Sequence, residues 1–101
     1  MSRINCIAAL KALSEITRLR ILRLLLREKL GVNDVSRRLK VSPYNVSKHL
    51  RILREAGLLH REKLGKQRFY AVAPALEDRL AENKNVLAMD CCTVRFDKLP
   101  Q

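Results

Sequence analysis

Residues 42–57 have the sequence SPYNVSKHLRILREAG, and this stretch decides the fold. Ser42 is a preferred N-cap residue, and Pro43 suits the first helical position, where its missing N–H is not needed. Val46, Leu50 and Leu53 recur at the spacing of one helix face, and Gly57 favours the end of the helix. The stretch therefore predicts a capped amphipathic helix whose exposed face has Tyr44, Asn45, Ser47, Lys48 and Arg51.

The exposed face of this helix has the residue types that bind nucleic acid. Asn pairs with adenine, Arg and Lys bind guanine or phosphate, and Ser binds either. His49 is a further candidate for a phosphate contact. Any one of these residues alone is more simply explained as part of a solvated helix face, so the prediction depends on the set as a whole.

A second helix is predicted just before this one, over Asn33–Leu39, with Val35 and Leu39 buried. The turn-like Lys40–Ser42 joins the two into a helix-turn-helix, whose second helix enters the major groove of DNA. Further upstream, Ser14 is predicted to cap a helix that ends at Gly31, with a buried face of Ile16, Leu19, Leu22, Leu25 and Leu26. A short first helix is predicted to have an apolar face of Ile4, Ile7, Ala8, Leu10 and Leu13.

After Gly57 the apolar pattern changes to that of strands. Leu58–Glu62 and Arg68–Val72 predict a β-hairpin joined around Lys63–Gln67. Pro74 predicts a short fifth helix over residues 75–81, and residues 93–96 have the character of a strand. The fold predicted is mostly α with a β-hairpin wing, a winged helix-turn-helix of one domain over residues 1–101, in which residues 73–101 form a C-terminal dimerisation and sensing segment.

The basic charge of the chain is concentrated before residue 73. Residues 1–72 contain 17 Lys and Arg against 5 Asp and Glu, whereas residues 73–101 contain 4 against 5. Arg61, Lys63, Lys66 and Arg68 make the hairpin tip basic, which suits the phosphate backbone or the minor groove. The predicted DNA-binding set is Ser42, Tyr44, Asn45, Ser47, Lys48, His49, Arg51, Arg61, Lys63, Lys66 and Arg68.

Several classes of protein are disfavoured by the sequence. No apolar run approaches the roughly 20 residues of a membrane span, and the first residues are too mixed for a signal peptide, so we expect a cytoplasmic protein with reduced thiols. No Gly-rich phosphate loop is present, and neither His lies near a Cys or Ser in a pattern typical of an activated nucleophile, which disfavours an enzyme. A chain of 101 residues rich in Leu favours a homodimer.

Residues 12–22 (ALSEITRLRIL) and 46–59 (VSKHLRILREAGLL) resemble the ArsR/SmtB family of bacterial regulators, and the resemblance covers about residues 5–72. It implies a dimeric winged-helix repressor that an inducer releases from double-stranded operator DNA, with the first and last helices at the dimer interface. The chain departs from metal-sensing members, because Leu30–Val35 lacks the two thiols of their motif. Another subgroup binds zinc through Asp and His residues of the last helix, whereas the corresponding stretch here has Glu77, Asp78 and Glu82 but no His. Pro43 stands where the family often has Gln.

Three cysteines remain as candidates for sensing: Cys6 in the first helix and the adjacent pair Cys91 and Cys92. Three thiolates suit a thiophilic ion such as arsenite, so the sequence predicts that these cysteines bind an inducer, with no obligatory cofactor. Two alternatives stay open. The same thiols could be oxidised, or they could be packing residues in a constitutive DNA-binding module.

Overall fold

The computed structural model describes residues 6–74, 76–77, 86–88 and 93–95. Its helices are α1 (Cys6–Leu13), α2 (Ile16–Leu25), α3 (Val32–Leu39) and α4 (Pro43–Glu55). Its strands are β1 (Leu59–Leu64), β2 (Gln67–Val72), β3 (Val86–Ala88) and β4 (Thr93–Arg95). β1 pairs with β2 and β3 with β4, both antiparallel, in two separate sheets. No helix within these ranges is long and apolar enough to cross a membrane.

Helix α4 begins and ends as its sequence predicts. The Ser42 hydroxyl accepts a hydrogen bond from the Asn45 N–H at 3.3 Å, and Pro43 is the first helical residue. Gly57 has φ of 86°, a left-handed conformation that Gly adopts without strain. The turn from α3 is tight because Lys40 also has positive φ, at 57°. α3 and α4 therefore form the predicted helix-turn-helix.

The prediction that Ser14 caps α2 is wrong. Glu15 is the N-cap, and its carboxylate accepts a hydrogen bond from the Arg18 N–H at 3.0 Å. The Ser14 hydroxyl instead donates to the Lys11 carbonyl at 2.7 Å, so it closes α1. The prediction that α2 continues to Gly31 is also wrong, because α2 ends at Leu25 and Gly31 is the N-cap of α3.

The core lies between the helices and the inner end of the β1–β2 hairpin. Its largest fully buried side chains are Ile21, Leu22, Val35, Val46, Leu50, Leu53, Leu58 and Leu76. The predicted apolar faces of the first two helices lie only partly in the core. Helix α1 buries Ala9, Ala12 and Leu13, whereas Ile7 is 63% exposed, and Ile16 at the start of α2 is 50% exposed. A protomer therefore presents an apolar surface along α1 and the start of α2.

The β1–β2 hairpin is longer than predicted, and its turn is shorter. Only Gly65 and Lys66 form the turn, with Gly65 at φ of 64°. Lys63 was expected in the loop but lies in β1, directly opposite Arg68. Leu30 and Tyr70 exchange two backbone hydrogen bonds, of 3.2 and 2.8 Å, so the segment between α2 and α3 pairs with β2.

The C-terminal segment differs in part from expectation. The predicted strand is confirmed for Thr93–Arg95, and its partner β3 was not predicted. Of the predicted fifth helix, Leu76 and Glu77 are helical, and each donates a backbone hydrogen bond of 2.9 Å to Ala73. Its remaining residues lie outside the described part of the chain.

Candidate nucleic-acid interface

Helix α4 exposes the polar face that its sequence predicts. Tyr44, Asn45, Ser47, Lys48 and Arg51 are all exposed on it. The Tyr44 side chain is 73% exposed, and the Lys48 ammonium lies 5.5 Å from the centre of its ring. Such a cation–π contact orders both side chains in the first two turns of the helix. The helix therefore presents donors, acceptors and an aromatic ring together.

A groove of about 430 Å³ lies between α4 and the β1–β2 hairpin. We call it the basic groove, and its lining is Tyr44, Ser47, Lys48, Arg51, Arg54, Arg61, Arg68 and Tyr70. Five of these eight residues are basic and none is acidic, so the groove has a positive potential that suits a polyanion.

The strand register explains why the hairpin presents its basic residues to α4. Residues directly opposite each other in an antiparallel pair share a face, and Arg61 is opposite Tyr70 while Lys63 is opposite Arg68. The other face has Glu62, whose carboxylate forms an ion pair of 3.0 Å with Lys29. Alternation along β1 thus keeps the acidic residue out of the basic groove. Lys66, in the turn, is exposed and lines a separate cleft beside the start of α3.

Arg54 is a groove residue that the sequence analysis missed. It is half-buried near the end of α4, and its Nε is a buried donor without a hydrogen-bond partner among the described residues. Arg54 directly follows Leu53, which belongs to the core. Its position three residues after Arg51 indicates that the two arginines are neighbours on the helix surface, because residues i and i+3 of a helix lie side by side.

Two predicted DNA-binding residues make other contacts in the structure. The Ser42 hydroxyl accepts the capping hydrogen bond of α4. His49 is half-buried against α2, with its Nδ1 3.3 Å from the Arg18 Nη1 and 3.7 Å from the Glu15 carboxylate. We call Glu15, Arg18 and His49 the interhelical cluster.

The Glu15 carboxylate stays ionised in the interhelical cluster. Desolvation by partial burial acts to raise its pKa, but backbone N–H groups of Thr17 and Arg18 donate hydrogen bonds to the charged form and His49 adds a favourable charge interaction. The net result is a pKa lowered from the ordinary value of a glutamate.

The predicted cysteine site falls partly outside the described residues. Cys6 is the first residue of α1, half-buried against the core, and its sulfur is disulfide-bonded, which differs from the expected reduced thiol. Cys91 and Cys92 lie outside the part of the chain that the structure describes. Within that part, no group of three or more His, Cys, Asp or Glu residues could hold a metal ion. Thiol sensing therefore stays a prediction.

The paired helices α3 and α4, followed by a hairpin with a basic inner face, define a winged helix-turn-helix protein of the transcription-regulator class. Residues 16–61 match the family model described as bacterial regulatory protein, arsR family. The chain is 37% identical over 69 residues to the transcriptional activator HlyU of Vibrio cholerae, a match that covers 68% of this chain and 64% of that protein. The chain belongs to the arsR family of bacterial regulatory proteins.

Solved structures agree with this assignment. HlyU from Vibrio cholerae superposes with a TM-score of 0.67 at 32% identity, covering 79% of this chain and 87% of that one. A structure of the same protein described as reduced gives 0.64 at 33%, covering 77% and 86%. A homodimeric winged helix-turn-helix DNA-binding domain from Mycobacterium bovis gives 0.70 at 25%, covering 78% and 73%. The transcriptional repressor BigR from Xylella fastidiosa gives 0.66 at 26%, covering 77% of each chain.

Proposed function

We propose that this protein is a DNA-binding transcription regulator whose α4 enters the major groove of an operator while the β1–β2 hairpin follows the adjacent backbone. The observation that carries the proposal is the basic groove, in which five basic side chains and no acidic one lie beside the exposed polar face of α4. A phosphate strand along the hairpin side of the groove would neutralise Arg61 and Arg68, release counterions and supply affinity without sequence preference. Asn45, Lys48 and Arg51 would then supply base contacts.

The regulator acts as a homodimer on an inverted repeat. Ile7, Leu10 and Ile16 are 63%, 40% and 50% exposed in the protomer, and a second copy would remove this apolar surface from water. The Mycobacterium bovis domain is described as homodimeric, which supports this arrangement. Two copies of α4 would then lie about 34–36 Å apart, one turn of DNA. A dimer that covers a promoter represses, whereas one bound beside it can activate, and the relatives include a named activator and a named repressor.

Thiols control the operator affinity of this dimer. Two chemistries are compatible with the cysteines. A thiophilic ion such as arsenite could bind to Cys6, Cys91 and Cys92. Alternatively, the Cys6 thiol and a second cysteine thiol form a disulfide and pass two electrons and two protons to an oxidant such as a peroxide. The disulfide state of Cys6 favours oxidation, because a sulfur in a disulfide is not a thiolate ligand. Arsenite remains the second candidate because the chain has three cysteines, two of them adjacent.

The experiment begins with selection of an operator duplex from a random library, followed by fluorescence anisotropy. The protein is titrated after reduction with dithiothreitol, after oxidation with diamide, and with arsenite or zinc added to the reduced form. If diamide changes the operator affinity of the wild type but not that of Cys6→Ser, the result supports oxidation. Release by arsenite alone supports the ion. Equal affinity in all four conditions contradicts thiol control, and the absence of any selected sequence contradicts operator binding.

A further inference from the structure

Arg18 connects the end of α1 to α4. Its Nε donates a hydrogen bond to the Ala12 carbonyl at 2.6 Å, and its Nη2 donates to the Lys11 carbonyl at 3.2 Å. These carbonyls belong to the last turn of α1, where no partner exists within the helix. The third nitrogen, Nη1, lies 3.3 Å from the His49 Nδ1 on α4. One planar guanidinium therefore contacts both helices, and its fixed fork couples their positions.

Glu15 contacts both Arg18 and His49. Its Oε2 accepts a hydrogen bond from the backbone N–H of Arg18 at 3.0 Å and lies 3.7 Å from the His49 Nδ1. The ionised Glu15 carboxylate offsets the positive charge of the Arg18 guanidinium in the same cluster. Ordered charge-assisted hydrogen bonds of this kind resist displacement more than neutral ones.

The buried apolar contacts of α1 are made mostly by small side chains. Its buried residues are Ala9, Ala12 and Leu13, of which the two alanines are fully buried. The Arg18 fork is directional by contrast, since it requires the α1 carbonyls and the His49 ring in fixed places. A shift of α1 along or about its axis would therefore pull on His49.

We propose that Arg18 is a positioning residue that transmits displacements of α1 to the DNA-binding helix α4 through His49. In this role His49 affects DNA binding through its contact with Arg18 and not by contacting phosphate. Because α1 begins at Cys6, the same connection carries the state of the Cys6 thiol to α4; this part rests on the proposed thiol control.

A double-mutant cycle on operator affinity tests the connection. Arg18→Lys keeps the charge but cannot contact both carbonyls and His49, and His49→Ala removes the partner. We expect each variant to bind the selected operator roughly tenfold more weakly, and the double variant no more weakly than the worse single one. Arg20→Lys makes the same chemical change on the same helix and is expected to bind as the wild type does. Thermal melting of each variant establishes that it is folded.

The outcomes separate this proposal from the proposed function. Additive losses, unchanged affinity in Arg18→Lys, or melting temperatures that fall while affinity is retained would each overturn the positioning role. The ratio of operator affinities in diamide and dithiothreitol is then compared between wild type and Arg18→Lys. A ratio that falls toward one supports transmission from Cys6, and an unchanged ratio refutes it. A ratio of one in the wild type contradicts thiol control instead, while the cycle still decides the role of Arg18.

Discussion

Replacing Arg61 and Arg68 with Gln should weaken the salt dependence of DNA binding without abolishing sequence preference. Both side chains lie on the hairpin side of the basic groove, opposite the α4 residues that we propose contact bases. Gln keeps much of the length and polarity of Arg but removes the charge. The change therefore separates the electrostatic contribution of the hairpin from the contribution of α4.

The expected magnitude follows from the number of charges removed. Two phosphate contacts per protomer make four in a dimer, and a slope of about −0.9 per neutralised phosphate predicts that the logarithmic salt slope becomes shallower by about 3.6. Between 50 and 200 mM salt, a change of this size corresponds to a salt effect about 150-fold smaller. A single remaining contact per protomer would halve the change in slope.

The assay is fluorescence anisotropy with the selected operator and with a scrambled duplex at several salt concentrations. The matched control is Arg27→Gln with Lys29→Gln, which removes the same charge from a separate cleft lined also by Val72 and Glu77. We expect the control to keep nearly the wild-type slope. An unchanged slope in the groove variant, or an equal change in the control, would refute the assignment of the basic groove to phosphate.

Three further predictions concern base contacts, the dimer and pH. Arg51→Ala should weaken binding to the operator by about 1–3 kcal/mol and to a scrambled duplex by less; equal losses on both would assign Arg51 to phosphate. Ile7→Glu should shift light scattering from dimer toward monomer, whereas Leu64→Glu, at 61% exposure against 63% for Ile7, should leave the mass unchanged; a dimeric Ile7→Glu would place the interface elsewhere. Because the Glu15 pKa is lowered in the folded state, its stabilisation is present above the unfolded pKa of about 4.3 and is lost as pH falls through the folded value. Glu15→Gln should accordingly lose less melting temperature than the wild type on acidification from neutral pH, and parallel losses would contradict the assignment.

The parts of the fold predicted correctly are those that local sequence determines. Ser42, Pro43 and Gly57 specify the ends of α4 through backbone hydrogen bonds and φ preferences alone, and the structure agrees with each. The choice between Ser14 and Glu15 as cap of α2 is not local. Both can accept the hydrogen bond, but Glu15 also faces His49, which is 34 residues further along the chain.

Residues of the site were missed or misplaced for similar reasons. An apolar helix face is the same in sequence whether it packs inside a protomer or between two, so the sequence alone does not show that Ile7 is exposed in the protomer. The sequence predicts a loop around Lys63–Gln67 with Gly65 at its centre. In the structure the positive φ of Gly65 allows a turn of only two residues, so Lys63 lies in β1. Arg54 contributes to the basic groove only because the hairpin folds back over α4, which local periodicity does not reveal.

The backbone pairing between Leu30 and Tyr70 divides the β1–β2 hairpin into an anchored root and a projecting arm. Up to Arg61, which is opposite Tyr70, three chain segments lie side by side, so the root moves with the helices. Beyond it only two strands continue, and an isolated pair of strands is marginally stable by itself. We therefore expect the arm to bend more readily than the root when the hairpin meets DNA. Changes of length or sequence at Gly65 and Lys66 would alter the proposed contacts of the arm with the DNA phosphates. They would leave the proposed base contacts of α4 unchanged.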